Sequence, residues 1–243
     1  MLSGKGEHVR VGHSLRNEKS GERGEVLFRR EPAPLAVLRG ALNKTNFVRS
    51  AAQSKIWLNG LPSVEDARPG ACPACGVASR PTGGKIMLHG HGSKERQQRG
   101  PLTPEGAAVV SAIRVRCYHC QGCGAVVRSA PATVWYRRLY SAPAIALALS
   151  LWGLLNASVA EVRAAVSPWK IIGHSAPKRW PTLRRWAQAV RAQTLFACCR
   201  KCPDHFTLKK VAERAGATLA GLVPVGQAVL GIAAQAFVGA AHA

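Results

Sequence analysis

The chain has 243 residues, eight cysteines, and 34 Lys and Arg against 12 Asp and Glu, for a net charge of +22. That length admits one domain or two small ones, and so large a positive balance points to a polyanionic partner, most simply nucleic acid. The cysteines are too sparse and unevenly spread for a disulfide scaffold, and the acids are too few for a two-metal nuclease or transposase centre, which needs about three converging carboxylates.

Only Asp66 and Asp204 are aspartates, and Glu161 is the single acid of residues 131–190. We therefore expect no enzyme of phosphodiester chemistry. Residues 1–50 carry ten basic and five acidic residues and few large apolar ones. This composition predicts a basic, mostly disordered arm, with a short helix over 34–42. Residues 1–10 are polar and lack the apolar core of a secretory signal, so a reducing cytoplasm is the expected compartment. Residues 51–68 lead in as helix or loop, anchored by Ile56, Trp57 and Leu58, and Pro69-Gly70 turns the chain.

Two short pieces follow, Cys72-Pro73-Ala74-Cys75-Gly76 and Cys120-Gln121-Gly122-Cys123-Gly124. Each reads C-x-x-C-G. Two thiolates two residues apart can face one ion across a tight turn, and the closing glycine admits the positive φ that such a turn needs. Two knuckles supply four sulfurs, the set that tetrahedral zinc prefers. No βαβ pattern surrounds either pair, which argues against a redox dithiol. Cys117 also stands three residues before Cys120 and is an alternative ligand to Cys120 or Cys123. His89, His91 and His119 read as turn or exposed side chains rather than ligands.

Between the knuckles, residues 85–88 read as a strand and residues 89–92 as a turn. Residues 93–99 are polar and basic, residues 101–106 a loop, and residues 109–117 a strand with basic side chains on one face. Residues 125–128 return as a further strand. Strand, knuckle, strand is the plan of a zinc ribbon, predicted over 51–130.

Beyond it the texture is helical. Ser141 and Pro143 open a helix whose residues 145–155 are apolar almost all round, which predicts burial. Ser158 and Glu161 spell a capping box for a second, short helix through Val166. A third helix begins near Pro181-Thr182. In it Leu183, Trp186, Ala187 and Val190 share one apolar face, while Arg184, Arg185, Gln188 and Arg191 lie away from it. Such a face suits a major groove, with arginine reading guanine and glutamine reading adenine. Lys170, Lys178 and Arg179, in the long connection before it, and Arg137 and Arg138, ahead of the first helix, are candidate phosphate contacts. Cys199-Arg200-Lys201-Cys202 repeats C-x-x-C, but it lacks a second pair unless Cys117 and a histidine complete it, so Cys198, Cys199 and Cys202 read as free thiols. Residues 217–241 carry no charge. Their alanine and glycine supply little transfer free energy, so an Ala-rich helix packing on the domain or on a partner, rather than a membrane span, is expected there, within an Ala-rich C-terminal tail over 196–243.

The knuckles, with Leu88-His89-Gly90-His91-Gly92-Ser93, Arg137-Arg138-Leu139-Tyr140-Ser141 and Thr182-Leu183-Arg184-Arg185-Trp186, resemble a bacterial transposase-like family that joins a zinc ribbon to a helix-turn-helix. The resemblance covers roughly residues 68–195. It implies zinc on Cys72, Cys75, Cys120 and Cys123, and DNA binding by a helix-turn-helix-like unit over 131–195. The connection from Val166 to Trp180 departs from the three or four residues of an ordinary helix-turn-helix turn. The expected fold is α+β. The expected function is recognition of double-stranded DNA for a transposase system whose catalytic subunit is separate, in the cytoplasm at the nucleoid. A homo-oligomer is compatible with this. The rivals are a transcription regulator built from the same parts, a complete transposase, against which the scarcity of acids counts, and a membrane-tethered protein using residues 217–241.

Overall fold

The computed structural model describes residues 46–50, 57, 60–170, 180–226 and 231–243. These fall in one compact unit, Gly40–Ala243, while the other unit, Met1–Arg39, lies outside them. The readings made for residues 1–45, and those for Lys178 and Arg179, also lie outside the described residues.

The chain is α+β. Strands β1 (Phe47–Arg49), β2 (Leu88–Pro101), β3 (Ala108–Cys120) and β4 (Val126–Ala130) form one mixed sheet in the order β1-β4-β3-β2. β2 and β3 pair antiparallel from Leu88↔Cys120 to Pro101↔Ala108, β3 and β4 pair antiparallel, and β1 runs parallel to β4.

Two strand expectations are corrected. The turn read at residues 89–92 is an irregularity between Gly90 and Ser93 within one continuous strand. β2 is an edge strand, so its middle need not be apolar, and Lys94, Glu95 and Gln97 are exposed there. Charge on an edge also blocks pairing with other chains. Residues 47–49, read as the end of the disordered arm, form β1. Phe47 packs on Val115, Ala130 and Val134, and Ser50 N–H donates to the Ala130 carbonyl at 2.7 Å.

The helical part starts where the sequence places it. In α1 (Ala142–Gly153) the hydroxyl of Ser141 accepts from Ala144 N–H at 3.2 Å, and Pro143 sits in the first turn. Residues 141–150 are all buried, because α1 touches α2, α3, α4, α5 and β2. The capping box of α2 (Val159–Val166) forms as expected. Ser158 N–H donates to Glu161 at 2.7 Å and Glu161 N–H to the Ser158 hydroxyl at 3.2 Å. In α3 (Thr182–Arg191) the face of Leu183, Trp186, Ala187 and Val190 is buried against α4 and α1.

After residue 195 the Ala-rich segment packs on the domain as expected, in two helices. Helices α4 (Leu208–Ala220) and α5 (Ile232–Gly239) pack on α1 and on each other, and Phe196, Val211, Leu219 and Phe237 share a core with Ile145 and Trp186. The uncharged run is broken at the turn that holds Pro224, and among the described residues no helix is long and apolar enough to cross a membrane. Glycine explains how so small-sided a segment enters a core. A Cβ on Gly153 would land on the backbone of Glu213, one on Gly216 would meet the Ser150 hydroxyl at 2.6 Å, and one on Gly239 would fall on the Leu219 carbonyl. The helices thus approach backbone to backbone, which maximises dispersion contact without large side chains.

Gly153→Ala should lower stability by about 1–3 kcal/mol, since the atoms it meets are backbone and cannot swing aside. A shift of the urea midpoint to lower concentration at unchanged slope checks this, and an unchanged midpoint contradicts it.

Backbone hydrogen bonds tie the sheet to the start of α1. Arg99 N–H donates to the Leu139 carbonyl at 2.7 Å, Ser141 N–H donates to the Arg99 carbonyl at 3.1 Å, and Gly100 lies against Ala144 of α1.

Candidate metal centre

The two knuckles are built alike. In the first, Gly76 N–H donates to the Cys72 carbonyl at 2.8 Å and Cys72 N–H to the Val77 carbonyl at 2.9 Å. In the second, Gly124 N–H donates to the Cys120 carbonyl at 2.8 Å and Cys120 N–H to the Ala125 carbonyl at 2.9 Å. Gly76 and Gly124 close them at φ of 76° and 72°, a region that disfavours side chains. β2 and β3 bring the knuckles together, since Gln121 N–H donates to the Met87 carbonyl at 2.8 Å and Met87 N–H to the Ser79 carbonyl at 2.9 Å.

The result is one cluster of four sulfurs, from Cys72, Cys75, Cys120 and Cys123, all within 4.8 Å of one another. Cys72 Sγ lies 3.8 Å from Cys123 Sγ and Cys75 Sγ 3.7 Å from Cys120 Sγ. A disulfide needs about 2.05 Å, so these are not disulfides. A tetrahedral ion with bonds of about 2.3 Å to sulfur sets its ligands about 3.8 Å apart, which these separations match.

The knuckle backbone turns its N–H groups toward the sulfurs, against the effect of burial. Backbone N–H groups of Ala74 and Cys75 point at the Cys72 sulfur, and those of Gly122 and Cys123 at the Cys120 sulfur. Val77 N–H serves Cys75 and Ala125 N–H serves Cys123. Burial pushes the thiols of Cys72, Cys75 and Cys123 up. Burial also raises that of Cys120, but there the hydrogen bonds from Cys123 and Gly122 prevail and the net direction is down. Cys72 and Cys120 are buried over an apolar floor of Leu88, Tyr118 and Val127, while Cys75 and Cys123 face solvent. Tyr118 ties the floor to the preceding loop, its hydroxyl donating to the Val64 carbonyl at 2.8 Å, and burial pushes that phenol up to about 12. The four cysteines could hold a metal ion. Among the described residues no other group of three or more His, Cys, Asp or Glu converges in this way.

Cys117 is not in the cluster. It stands an odd number of residues before Cys120 on β3, so it faces the other side of the sheet. Among the described residues Cys198, Cys199 and Cys202 form no second site. Cys199 is buried, and burial, reinforced by the neighbouring Cys198, pushes its thiol up to about 12. Cys198 is exposed. At pH 8 iodoacetamide should therefore modify Cys198 at least tenfold faster than Cys199 in the folded chain, because the thiolate is the reactive form. Peptide mass mapping reads the ratio, and equal rates contradict the burial assignment.

The basic candidates separate. Arg184, Arg185 and Gln188 are exposed on α3. Arg191 leaves the predicted face, because its guanidinium donates to the Phe206 carbonyl at the start of α4. Arg137 is exposed, and Arg138 is half-buried, with its carbonyl accepting from Arg96 at 2.6 Å. Sequence reasoning passed over Arg96 and Arg128. They are 32 positions apart, one in the polar and basic stretch 93–99 and one on the strand read at 125–128, and they come near each other only through the β2-β3-β4 order.

The chain matches no protein-family model, no curated protein and no solved structure.

Proposed function

We propose that the chain is a zinc-stabilised protein that binds double-stranded DNA. In this reading it is the DNA-recognition part of a transposase system whose strand-transfer chemistry belongs to a separate subunit, and it works at the nucleoid. The observation that carries the reading is α3. One face is anchored by Leu183, Trp186, Ala187 and Val190, and the other offers Arg184, Arg185 and Gln188 to solvent with no acid on the helix. Arginine and glutamine are the side chains that address guanine and adenine in the major groove.

Zinc is the ion that four sulfurs select, since soft thiolates in a tetrahedron suit it and leave no open position for catalysis. Its part is to hold the sheet on which the basic strands sit. Binding of the metal-loaded chain to duplex DNA, weakened in Arg184→Ala and Arg185→Ala, tests the proposal. A chain that ignores duplexes at low salt overturns it.

A further inference from the structure

A concave pocket of about 400 Å³ lies between β2, β4 and residues 136–139, away from the four cysteines. Its size is within the range of about 300–1,000 Å³ usual for small-ligand sites. Lys94, Arg96, Arg128 and Arg137 line it together with Phe47 and Tyr136. Glu95 is the single acid on its wall, and strand alternation turns it away from Lys94 and Arg96. None of these cations forms an ion pair among the described residues.

The pocket is held in shape. Arg96 donates to the carbonyls of Trp135 and Arg138, both at 2.6 Å, and its guanidinium stands 5.4 Å from the Phe47 ring centre. The rings of Phe47 and Tyr136 meet at 5.8 Å, and Arg137 stands 5.1 Å from the Tyr136 ring centre. Burial, and then the positive charge of Arg128, both disfavour the charged form of Arg96, so the positive field is uncompensated. Arg137 also has φ of 56°, a conformation that favours glycine. A strained residue whose side chain lines a pocket is a recurring mark of a ligand site.

We propose that this pocket is a second nucleic-acid site, which takes a nucleotide of a single strand with its phosphates on Lys94, Arg128 and Arg137 and its base against Phe47 and Tyr136. Cations supply the backbone attraction and aromatic rings the stacking, the pairing used by single-strand binders. A duplex does not satisfy it, because the faces of its bases are stacked on each other. The site stands apart from α3 and does not depend on the reading of that helix.

The test is fluorescence anisotropy of a labelled ten-nucleotide oligothymidylate with the intact, metal-loaded chain. Arg128→Ala and Arg137→Gly should each weaken binding about tenfold, as for a hydrogen bond to a charged group. Each should also flatten the dependence of log affinity on log salt by about 0.7. Tyr136→Ala should weaken it by about 5- to 100-fold. Arg137→Gly should keep or raise the thermal midpoint, because glycine adopts the positive φ without strain, so its loss of binding cannot be unfolding. Arg184→Ala should leave single-strand affinity unchanged, and Tyr136→Ala, which removes no charge, should leave duplex affinity unchanged.

Oligothymidylate affinity that is indifferent to Arg128→Ala and Arg137→Gly overturns the proposal. So does equal affinity for an abasic oligomer of the same length, which would mark a site for phosphate alone.

Discussion

Zinc analysis of the purified chain should return one ion per chain, and Cys120→Ser should lose it together with the folded sheet. Structural zinc in small domains contributes on the order of 10–16 kcal/mol of binding that appears as folding free energy. The dependence should be strong here because Cys72 and Cys120 are themselves part of the apolar floor with Leu88, Tyr118 and Val127. Without the ion, four thiols remain within one cluster, and the first knuckle is joined to β3 only by the packing of Cys72, Ala74 and Val77 against Tyr118 and Cys120 and by the backbone hydrogen bonds that run through Met87. Near-ultraviolet circular dichroism should report the change through Tyr118 and Trp57, which belong to or pack on that floor. Acidification should release the ion, because each thiolate that takes a proton leaves the ligand set. Cys117→Ser is the control, since it changes a buried cysteine of the same strand that points to the other face. Full metal content in Cys120→Ser, or metal loss in Cys117→Ser, would refute the assignment of ligands.

What could be read from the sequence followed the range of the forces involved. The knuckles were legible because thiolate spacing and a closing glycine are local requirements, and the caps at Ser141 and Ser158 were legible for the same reason. The apolar stripe of α3 is likewise a property of ten consecutive residues. Features that depend on distant partners were hidden. Residues 89–92 carry turn residues, yet the chain only bulges at His91 and Gly92, because β3 pairs with β2 on both sides of them. The Ala-rich segment of residues 217–241 is readable as a helix that packs on the domain or on a partner, but which helices it meets is not. α4 and α5 close on α1 and on each other because Gly153, Gly216 and Gly239 carry no side chains to hold the helices apart. Arg191 looked like part of a groove-reading face until α4 offered it the Phe206 carbonyl. The four-cysteine cluster is therefore readable from local spacing except for the choice between Cys117 and a knuckle cysteine, which strand alternation decides, and the basic pocket depends on strand order.

Binding of duplex DNA should weaken steeply with salt. Residues 131–191 carry nine basic residues against Glu161 alone. Arg163 and Arg191 are held by the carbonyls of Trp169 and Phe206, Arg138 is half-buried, and Arg137 belongs to the pocket. Lys170, Lys178, Arg179, Arg184 and Arg185 remain. If each meets a phosphate, the slope of log affinity on log salt should be about −4.5, at about 0.9 for each contact. Arg184→Ala and Arg185→Ala then distinguish two kinds of contact. A side chain that reads a base should cost about 1–3 kcal/mol of discrimination at one position of the site and leave other sequences nearly as they were. A side chain that touches phosphate should weaken all sequences alike and flatten the slope by about one. Arg191→Ala should do neither at the DNA. Its guanidinium is already committed to the Phe206 carbonyl, so its effect should appear in stability, as the unsatisfied carbonyl and the lost packing at the start of α4. Arginine variants of α3 that leave both affinity and slope untouched would mean that the helix is only a solvated face. A salt response that is flat in the metal-loaded chain would mean that the charge of +22 serves some partner other than DNA.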